Sequence, residues 1–179
     1  MPKLVDHDEY RQQLAQGAAA LFSTHGYNGL GMRAIADALG ISKSALYHYF
    51  PTKKALFHAC TDLVTRFSDD LPAPSLLKLP LAERVHMLIE ETQAMEATFP
   101  AEMSLLIDYL RGWSMDDVAA DPTMQLAADR YRDLVRTFVA ETDVEPVLCL
   151  MLGTLLARFL DGGRTGFETV EQWLIARLT

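Results

Sequence analysis

The sequence contains only two cysteines in 179 residues, Cys60 and Cys149, and they lie far apart. Their spacing fits neither a zinc site nor a redox motif, so we expect two free thiols in a reducing compartment. Long hydrophobic runs are also missing, because the longest, residues 147–157, is too short to span a bilayer. Charged residues follow the first residue closely, which disfavours a signal peptide. These features predict a soluble, intracellular chain with no membrane partner.

Signals of β structure and of catalysis are absent too. No segment sustains an alternation of polar and apolar residues. There is no serine-centred elbow, no phosphate loop and no paired metal cluster. The single Glu-x-x-His step, at Glu83 and His86, lacks the second copy that a di-iron bundle needs. The sequence therefore predicts an all-α protein without catalytic residues, metal or cofactor.

Helical periodicity runs through most of the chain, divided by capping and breaking residues. Gly26 and Gly40 are suited to closing helices, while Ser42 and Thr52 are suited to starting them. A break is expected at residues 71–75, which contain two prolines. About nine helices are expected, over residues 8–25, 32–39, 43–49, 53–67, 80–99, 100–114, 122–141, 144–160 and 167–178.

The charge of the chain is distributed unevenly. The net charge is −8 and the isoelectric point is near 5.0. Residues 1–58 carry six Lys or Arg and four Asp or Glu. Residues 59–179 carry ten Lys or Arg and twenty Asp or Glu. A mildly basic end on a strongly acidic body fits a module that contacts nucleic acid, joined to a body that phosphate repels.

Residues 32–50, MRAIADALGISKSALYHYF, have the pattern of a helix-turn-helix. Ala36 is small where the two helices would cross, and Gly40 gives the turn its backbone freedom. The apolar contacts between the helices would come from Ile35, Leu39, Ile41 and Leu46. The second helix then directs four side chains outward, Lys43, Ser44, Tyr47 and His48. This spacing favours DNA contact for Tyr47 and His48, with a structural aromatic cluster as the alternative.

The block from Arg11 to Phe57 resembles the TetR family of bacterial repressors. The resemblance rests on LFSTHGY at 21–27, IA at 35–36, GISK at 40–43, LYHYF at 46–50 and TKKALF at 52–57. It implies a helix-turn-helix domain over residues 1–51 and a ligand-binding and dimerisation domain over residues 52–179, with the fourth helix linking them. It further implies a cytoplasmic, nucleoid-associated homodimer that represses at palindromic operator DNA and is released by a small molecule.

The same resemblance implies DNA contacts at particular positions. Base or groove contacts are expected from Lys43, Ser44, Tyr47 and His48. Phosphate contacts are expected from Ser42, Tyr49 and Lys53. Arg33 stands where the family often contacts DNA. Gly31 occupies a position where the family usually has Ser or Thr, so no hydroxyl contact with phosphate is expected there.

Residues 87–124 contain five of the eight methionines, with aromatic residues between them. This composition favours an adaptable pocket for an apolar or aromatic effector, and ordinary core packing is the alternative. The candidate pocket residues are His86, Met95, Phe99, Met103, Tyr109, Trp113 and Met124. A DNA-binding regulator or architectural protein without an inducer stays open as the second interpretation, although the acidic body disfavours an architectural role.

The segment 144–160 is apolar on most sides of a helix, which indicates burial beyond what a small monomer provides. The TetR resemblance implies that the last two helices of each subunit pair in a four-helix bundle. The expected interface residues are Leu148, Met151, Leu152, Leu155, Phe159 and Trp173.

Overall fold

The computed structural model describes residues 7–66 and 76–178. Within these two ranges the chain is helical and has no strand, which confirms the predicted fold class. None of the helices in these ranges has both the length and the apolar character needed to cross a membrane. The expected break at residues 71–75 lies outside the described residues. The fourth helix ends at Val64, three residues before the expected position, Phe67.

Ten α-helices follow one another in the described ranges. They are α1 His7–His25, α2 Met32–Ala38, α3 Lys43–Tyr49, α4 Lys53–Val64, α5 Leu81–Glu96, α6 Phe99–Tyr109, α7 Met115–Ala120, α8 Pro122–Arg136, α9 Val144–Asp161 and α10 Phe167–Arg177. A single 3₁₀ turn, Glu141–Asp143, precedes α9.

Several helix boundaries follow from local capping chemistry. The Ser42 hydroxyl accepts a hydrogen bond from the Ala45 N–H at 3.1 Å and starts α3. Thr52 starts α4 in the same way, by accepting from the Ala55 N–H at 3.0 Å. Gly162 ends α9 in the left-handed conformation, with φ of 68°.

Helix α7 is the element that the sequence expectation lacks, since that expectation ends one helix near Ser114 and starts the next at Pro122. In the structure Ser114 is an N-cap: its hydroxyl accepts from the Asp117 N–H at 3.2 Å. The Asp117 carboxylate accepts from the Ser114 N–H at 2.9 Å, which completes a capping box. Helix α8 ends at Arg136, five residues before the expected position.

The described chain forms two compact units. The first unit takes residues 7–66 and Ala101–Ala127, and the second unit takes residues 76–100 and 128–178. Two of the boundaries between the units, after residues 100 and 127, therefore fall inside α6 and α8. The domain boundary near residue 51 stays a prediction.

The first unit is built round a single hydrophobic core. Its fully buried side chains come from the first four helices and the turns between them: Phe22, Ile35, Leu46, Phe50 and Leu56. Each contributes roughly 1.5–3 kcal/mol by leaving water. The Tyr109 ring from α6 joins this core, with its centroid 4.4 Å from that of Phe57 and 4.7 Å from that of Tyr27. Residues 101–127 are thus part of the same core as the helix-turn-helix.

The second unit buries one side of α5, α9 and α10. Leu88 of α5 and Leu155 of α9 are among its fully buried side chains. The hydroxyls of Thr92 and Thr154 are turned back onto the carbonyls four residues earlier, at 2.8 and 2.7 Å. A void of about 10 Å³ between these helices has an apolar lining.

Candidate nucleic-acid interface

Helix α3 has one face fixed in the core and one face open. Leu46 on its inner side is fully buried, as is Phe50 directly after its last turn. On the outer side four side chains are exposed together, those of Lys43, Ser44, Tyr47 and His48; we call this set the α3 face. Rigid burial on one side and exposure on the other is the arrangement that a recognition helix requires.

The α3 face combines charge, ring surface and hydroxyl groups. The Tyr47 ring is 40% exposed, and the Lys43 ammonium lies 5.5 Å from its centroid. Lysine donates to guanine O6 and N7 in a major groove, and an aromatic ring can pack on a thymine methyl group. The Ser44 hydroxyl lies 3.0 Å from that of Ser42, the N-cap of the helix. The face is therefore chemically able to read base edges.

Tyr49 is less free than its neighbours. Its ring is half-buried beside Tyr10, with centroids 5.4 Å apart, and its hydroxyl shares a hydrogen bond with His7 Nδ1 at 3.0 Å. Only when His7 Nδ1 carries the proton does the hydroxyl keep its own proton for a phosphate oxygen. The predicted phosphate contact of Tyr49 thus depends on the tautomer or charge of His7.

Lys53 is held by backbone groups. Its ammonium donates to the carbonyls of Tyr27 and Leu30 at 3.0 and 3.1 Å, and it lies 4.2 Å from the centroid of the Tyr27 ring. Two of its three protons are thereby used, so the predicted phosphate contact has one proton left. The first role of Lys53 is to hold the turn between α1 and α2 against the start of α4.

Arg33 is exposed on α2, two residues after the N-cap Gly31. Gly31 makes no side-chain capping bond, and a Cβ added there would meet no atom within 4 Å. The structure therefore has room for a side chain at position 31, and steric hindrance does not explain why glycine replaces the Ser or Thr that is usual in the TetR family.

Lys54 and Asp121 form a polar cluster that the sequence does not reveal. The Lys54 ammonium lies 2.6 Å from Asp121 Oδ2, and the Asp121 side chain is fully buried. Tyr109 donates to the same oxygen at 3.2 Å, while the N–H groups of Thr123 and Met124 donate to Oδ1 at 3.0 and 3.1 Å. Burial by itself would raise the pKa of Asp121, but the Lys54 and Met124 hydrogen bonds outweigh it and the pKa is lowered.

The predicted pocket residues are divided between the two units. Met103, Tyr109, Trp113 and Met124 belong to the first unit, and the last three pack with its core, which is the alternative role given for them above. His86, Met95 and Phe99 belong to the second unit, where His86 is exposed and bonds to Glu171 at 2.9 Å. Phe99 lines an open cleft of about 520 Å³ in the second unit.

The predicted interface residues also fall into two groups. Leu148, Met151 and Leu155 are buried inside the second unit. Phe159 and Trp173 are 53% and 55% exposed, and Leu152 is half-buried. The available apolar surface runs along α9 through Cys149, Leu152, Leu156, Phe159 and Leu160; we call it the α9 face.

The sequence model described as "Bacterial regulatory proteins, tetR family" matches residues 14–60, which contain the helix-turn-helix and the α3 face. Over a longer range, the chain is similar to the "HTH-type transcriptional repressor Rv1474c" of Mycobacterium tuberculosis. The identity is 29% over 170 residues, covering 90% of this chain and 89% of that protein. The helix-turn-helix region of this chain is therefore that of a TetR-family regulator.

Two solved structures extend the likeness to the fold of the whole chain. The TetR family regulator PfmR from Thermus thermophilus has a TM-score of 0.54 at 21% identity, covering 93% of this chain and 97% of that chain. AibR, in complex with isovaleryl coenzyme A and operator DNA, has a TM-score of 0.58 at 18% identity, covering 94% of this chain and 97% of that chain. These two structures show the helical fold. The match over residues 14–60 and the named repressor of Mycobacterium tuberculosis indicate a DNA-binding transcriptional regulator.

Proposed function

We propose that this TetR-family regulator is a repressor that binds a palindromic operator as a homodimer and is released by a small apolar or aromatic ligand. The observation that carries the proposal is the α3 face, which is exposed on a helix fixed by the buried Leu46. The name of the Mycobacterium tuberculosis relative supports repression.

The DNA contacts are expected to divide into two kinds. Lys43, Ser44, Tyr47 and His48 contact base edges in the major groove, and Ser42, Tyr49, Arg33 and the remaining proton of Lys53 contact phosphates. The acidic residues after position 58 oppose non-specific association with phosphate, so binding depends on these contacts.

Tyr47→Ala and Lys43→Ala are each expected to weaken operator binding by about 1–3 kcal/mol, since each removes a base-reading side chain. Fluorescence anisotropy with a duplex that the wild-type protein selects from random DNA measures this loss. Lys78→Ala is the matched control, because Lys78 is an exposed lysine of the second unit. Wild-type affinity in both α3 variants would show that DNA is read by another surface.

The ligand half of the proposal rests on the methionine-rich stretch and on the cleft beside Phe99. The AibR structure, which contains isovaleryl coenzyme A and operator DNA, supports the binding of a small ligand by this fold but does not bear on release. The alternative, a DNA-binding regulator with no inducer, predicts that no small molecule changes operator affinity.

A compound that raises the melting temperature of the protein in a screen of apolar and aromatic molecules is expected to lower operator affinity. By thermodynamic linkage, operator DNA must then weaken the affinity for the compound by the same factor. Titration calorimetry of the compound, with and without DNA, measures that factor. A bound compound that leaves operator affinity unchanged would contradict the inducer hypothesis and leave the DNA-binding hypothesis intact.

A further inference from the structure

The turn between α1 and α2, residues 26–31, lies between two charged side chains from distant parts of the sequence. Lys53 approaches it from α4, and Asp108 approaches it from the last turn of α6. All of these residues belong to the first unit. The two charges meet backbone groups of opposite polarity.

Three hydrogen bonds join Asp108 to Asn28 of the turn. The Asn28 N–H donates to Asp108 Oδ2 at 2.7 Å. The Asn28 side-chain amide donates to the Asp108 backbone carbonyl at 2.7 Å and to Oδ1 at 3.3 Å. The Asn28 backbone hydrogen bond is the main reason that the pKa of Asp108 is lowered. The Asp108 side chain is 20% exposed, and its carboxylate accepts charge-assisted hydrogen bonds from the exposed Asn28.

Gly26 makes this close approach possible. Its φ is 75°, in the region that favours glycine, and a Cβ added to it would lie 2.9 Å from Asp108 Oδ2. On the other side of the turn, Lys53 donates to the carbonyls of Tyr27 and Leu30. The backbone of the turn is therefore fixed by an anion at its N–H side and by a cation at its C=O side.

The turn leads directly into α2, where the Gly31 carbonyl accepts the first helical hydrogen bond, from the Ile35 N–H. Arg33 follows two residues later, and Lys53 is the first residue of α4. Both are proposed phosphate contacts. A shift of the turn would therefore move two DNA-contacting side chains relative to α3, whose own position depends on Leu46.

We propose that Asp108 is a positioning residue for operator binding. It does not contact DNA; it fixes residues 26–31, so that Arg33 and Lys53 stand in register with the α3 face. Asp108 lies outside residues 14–60, which carry the family match. The inference rests on DNA binding through the α3 face and requires neither repression nor a ligand.

Asp108→Ala is expected to weaken operator binding by about 2- to 30-fold, the range typical of positions that act without contacting the ligand. Binding to an unrelated duplex should change less, because α3 keeps its charges and its burial. Arg111→Ala is the matched control: Arg111 lies 3.4 Å from Asp108 Oδ1 and its side chain is 76% exposed, while the bonds to Asn28 do not involve it. The operator affinity of the Arg111→Ala variant should stay within about twofold of that of the wild-type protein.

Hydrogen exchange provides the readout that separates positioning from loss of the fold. In Asp108→Ala the amide of Asn28 should lose protection while the amides of α3 and α4 keep theirs. A purely structural role would instead lower protection throughout the first unit and weaken specific and non-specific binding in proportion.

Exchanging the carboxylate and the amide between positions 28 and 108 provides a second test in case Asp108→Ala folds poorly. Asn28→Asp places two carboxylates against each other, so it should weaken operator binding more than Asp108→Asn does. The double variant, Asn28→Asp with Asp108→Asn, again pairs one carboxylate with one amide and should recover part of that loss. Recovery is incomplete because a carboxylate at position 28 cannot donate to the backbone carbonyl of residue 108. Strictly additive effects, or a wild-type affinity in Asp108→Ala, would overturn the inference. Failure of the wild-type protein to bind any duplex would instead overturn the proposed function.

Discussion

Leu156→Glu and Leu160→Glu are each expected to yield folded monomers that bind operator about 10²–10⁴-fold more weakly than the wild-type protein, which we propose is a dimer. The two leucines are 44% and 74% exposed in the subunit, so a carboxylate is solvated there unless a partner covers it. Pairing of two α9 faces would bury that charge without a counter-charge, at a cost of several kcal/mol. The loss of operator affinity follows because one subunit reaches only one of two half-sites spaced about 34–36 Å apart.

Sedimentation and operator titration of the same samples measure this prediction. Ala82→Glu adds the same charge at an exposed position of α5 and should remain dimeric. Leu155→Glu marks the other limit: Leu155 is 2% exposed inside the subunit, so this variant should lose its fold rather than only its partner. A wild-type protein that sediments as a monomer at micromolar concentration, with full operator affinity, would remove the basis of the prediction.

Asp121→Ala is expected to lower the free energy of unfolding by about 2–4 kcal/mol, a large effect for a single substitution. The change removes the fully buried partner of Lys54 and the cap of the first two N–H groups of α8 after Pro122. It also leaves the buried Tyr109 hydroxyl without its acceptor. The expected loss stays below that for a fully buried pair, because the Lys54 side chain is half exposed. Urea unfolding followed by circular dichroism measures it.

Asp121→Asn isolates the charge, since asparagine caps a helix as well as aspartate does. Asp121→Asn should lower the free energy of unfolding less than Asp121→Ala does. The double variant, Asp121→Asn with Lys54→Met, should lose less than the sum of the losses of its two single variants. Equal destabilisation by Asp121→Ala and Asp121→Asn would assign the whole effect to the charge and none to the cap.

The stabilising contribution of the Asp121 carboxylate changes with pH in a definite direction. The native pKa of Asp121 lies below the ordinary value of 3.8. Its stabilising contribution is therefore complete above that value and is lost as the pH falls through the lower native pKa. The difference in unfolding free energy between wild type and Asp121→Asn should thus be constant near neutral pH and narrow below about pH 4.

The helix-turn-helix could be predicted because its determinants are local. Ser42, Gly40 and the spacing of Ile35 and Leu46 fix α3 within a few residues of chain, and its bounds match the expectation. The capping box of α7 was also a readable local signal, but the sequence expectation did not use it.

The remaining features depend on contacts that no local pattern records. Asn28 and Asp108 are separated by 80 positions, and nothing beside either residue indicates the other. Methionine and aromatic density made Tyr109, Trp113 and Met124 candidates for a pocket, yet the same composition suits a core, and there they pack. Similarly, apolar periodicity showed that α9 is buried on several sides, but it could not separate the side covered by its own subunit from the α9 face.

The two cysteines differ in the reactivity of their thiols, so alkylation of one of them can report whether the α9 face is covered. The Cys60 thiol donates to the Ala15 carbonyl at 3.2 Å, and burial raises its pKa to about 12, so almost no reactive thiolate forms there at neutral pH. Cys149 is exposed on the α9 face. An alkylating reagent should therefore modify each separated subunit once, and pairing of two α9 faces would close that site. If the α9 faces pair as proposed, the rate of Cys149 alkylation, followed by mass spectrometry, should fall as protein concentration rises and should report the fraction of separated subunits.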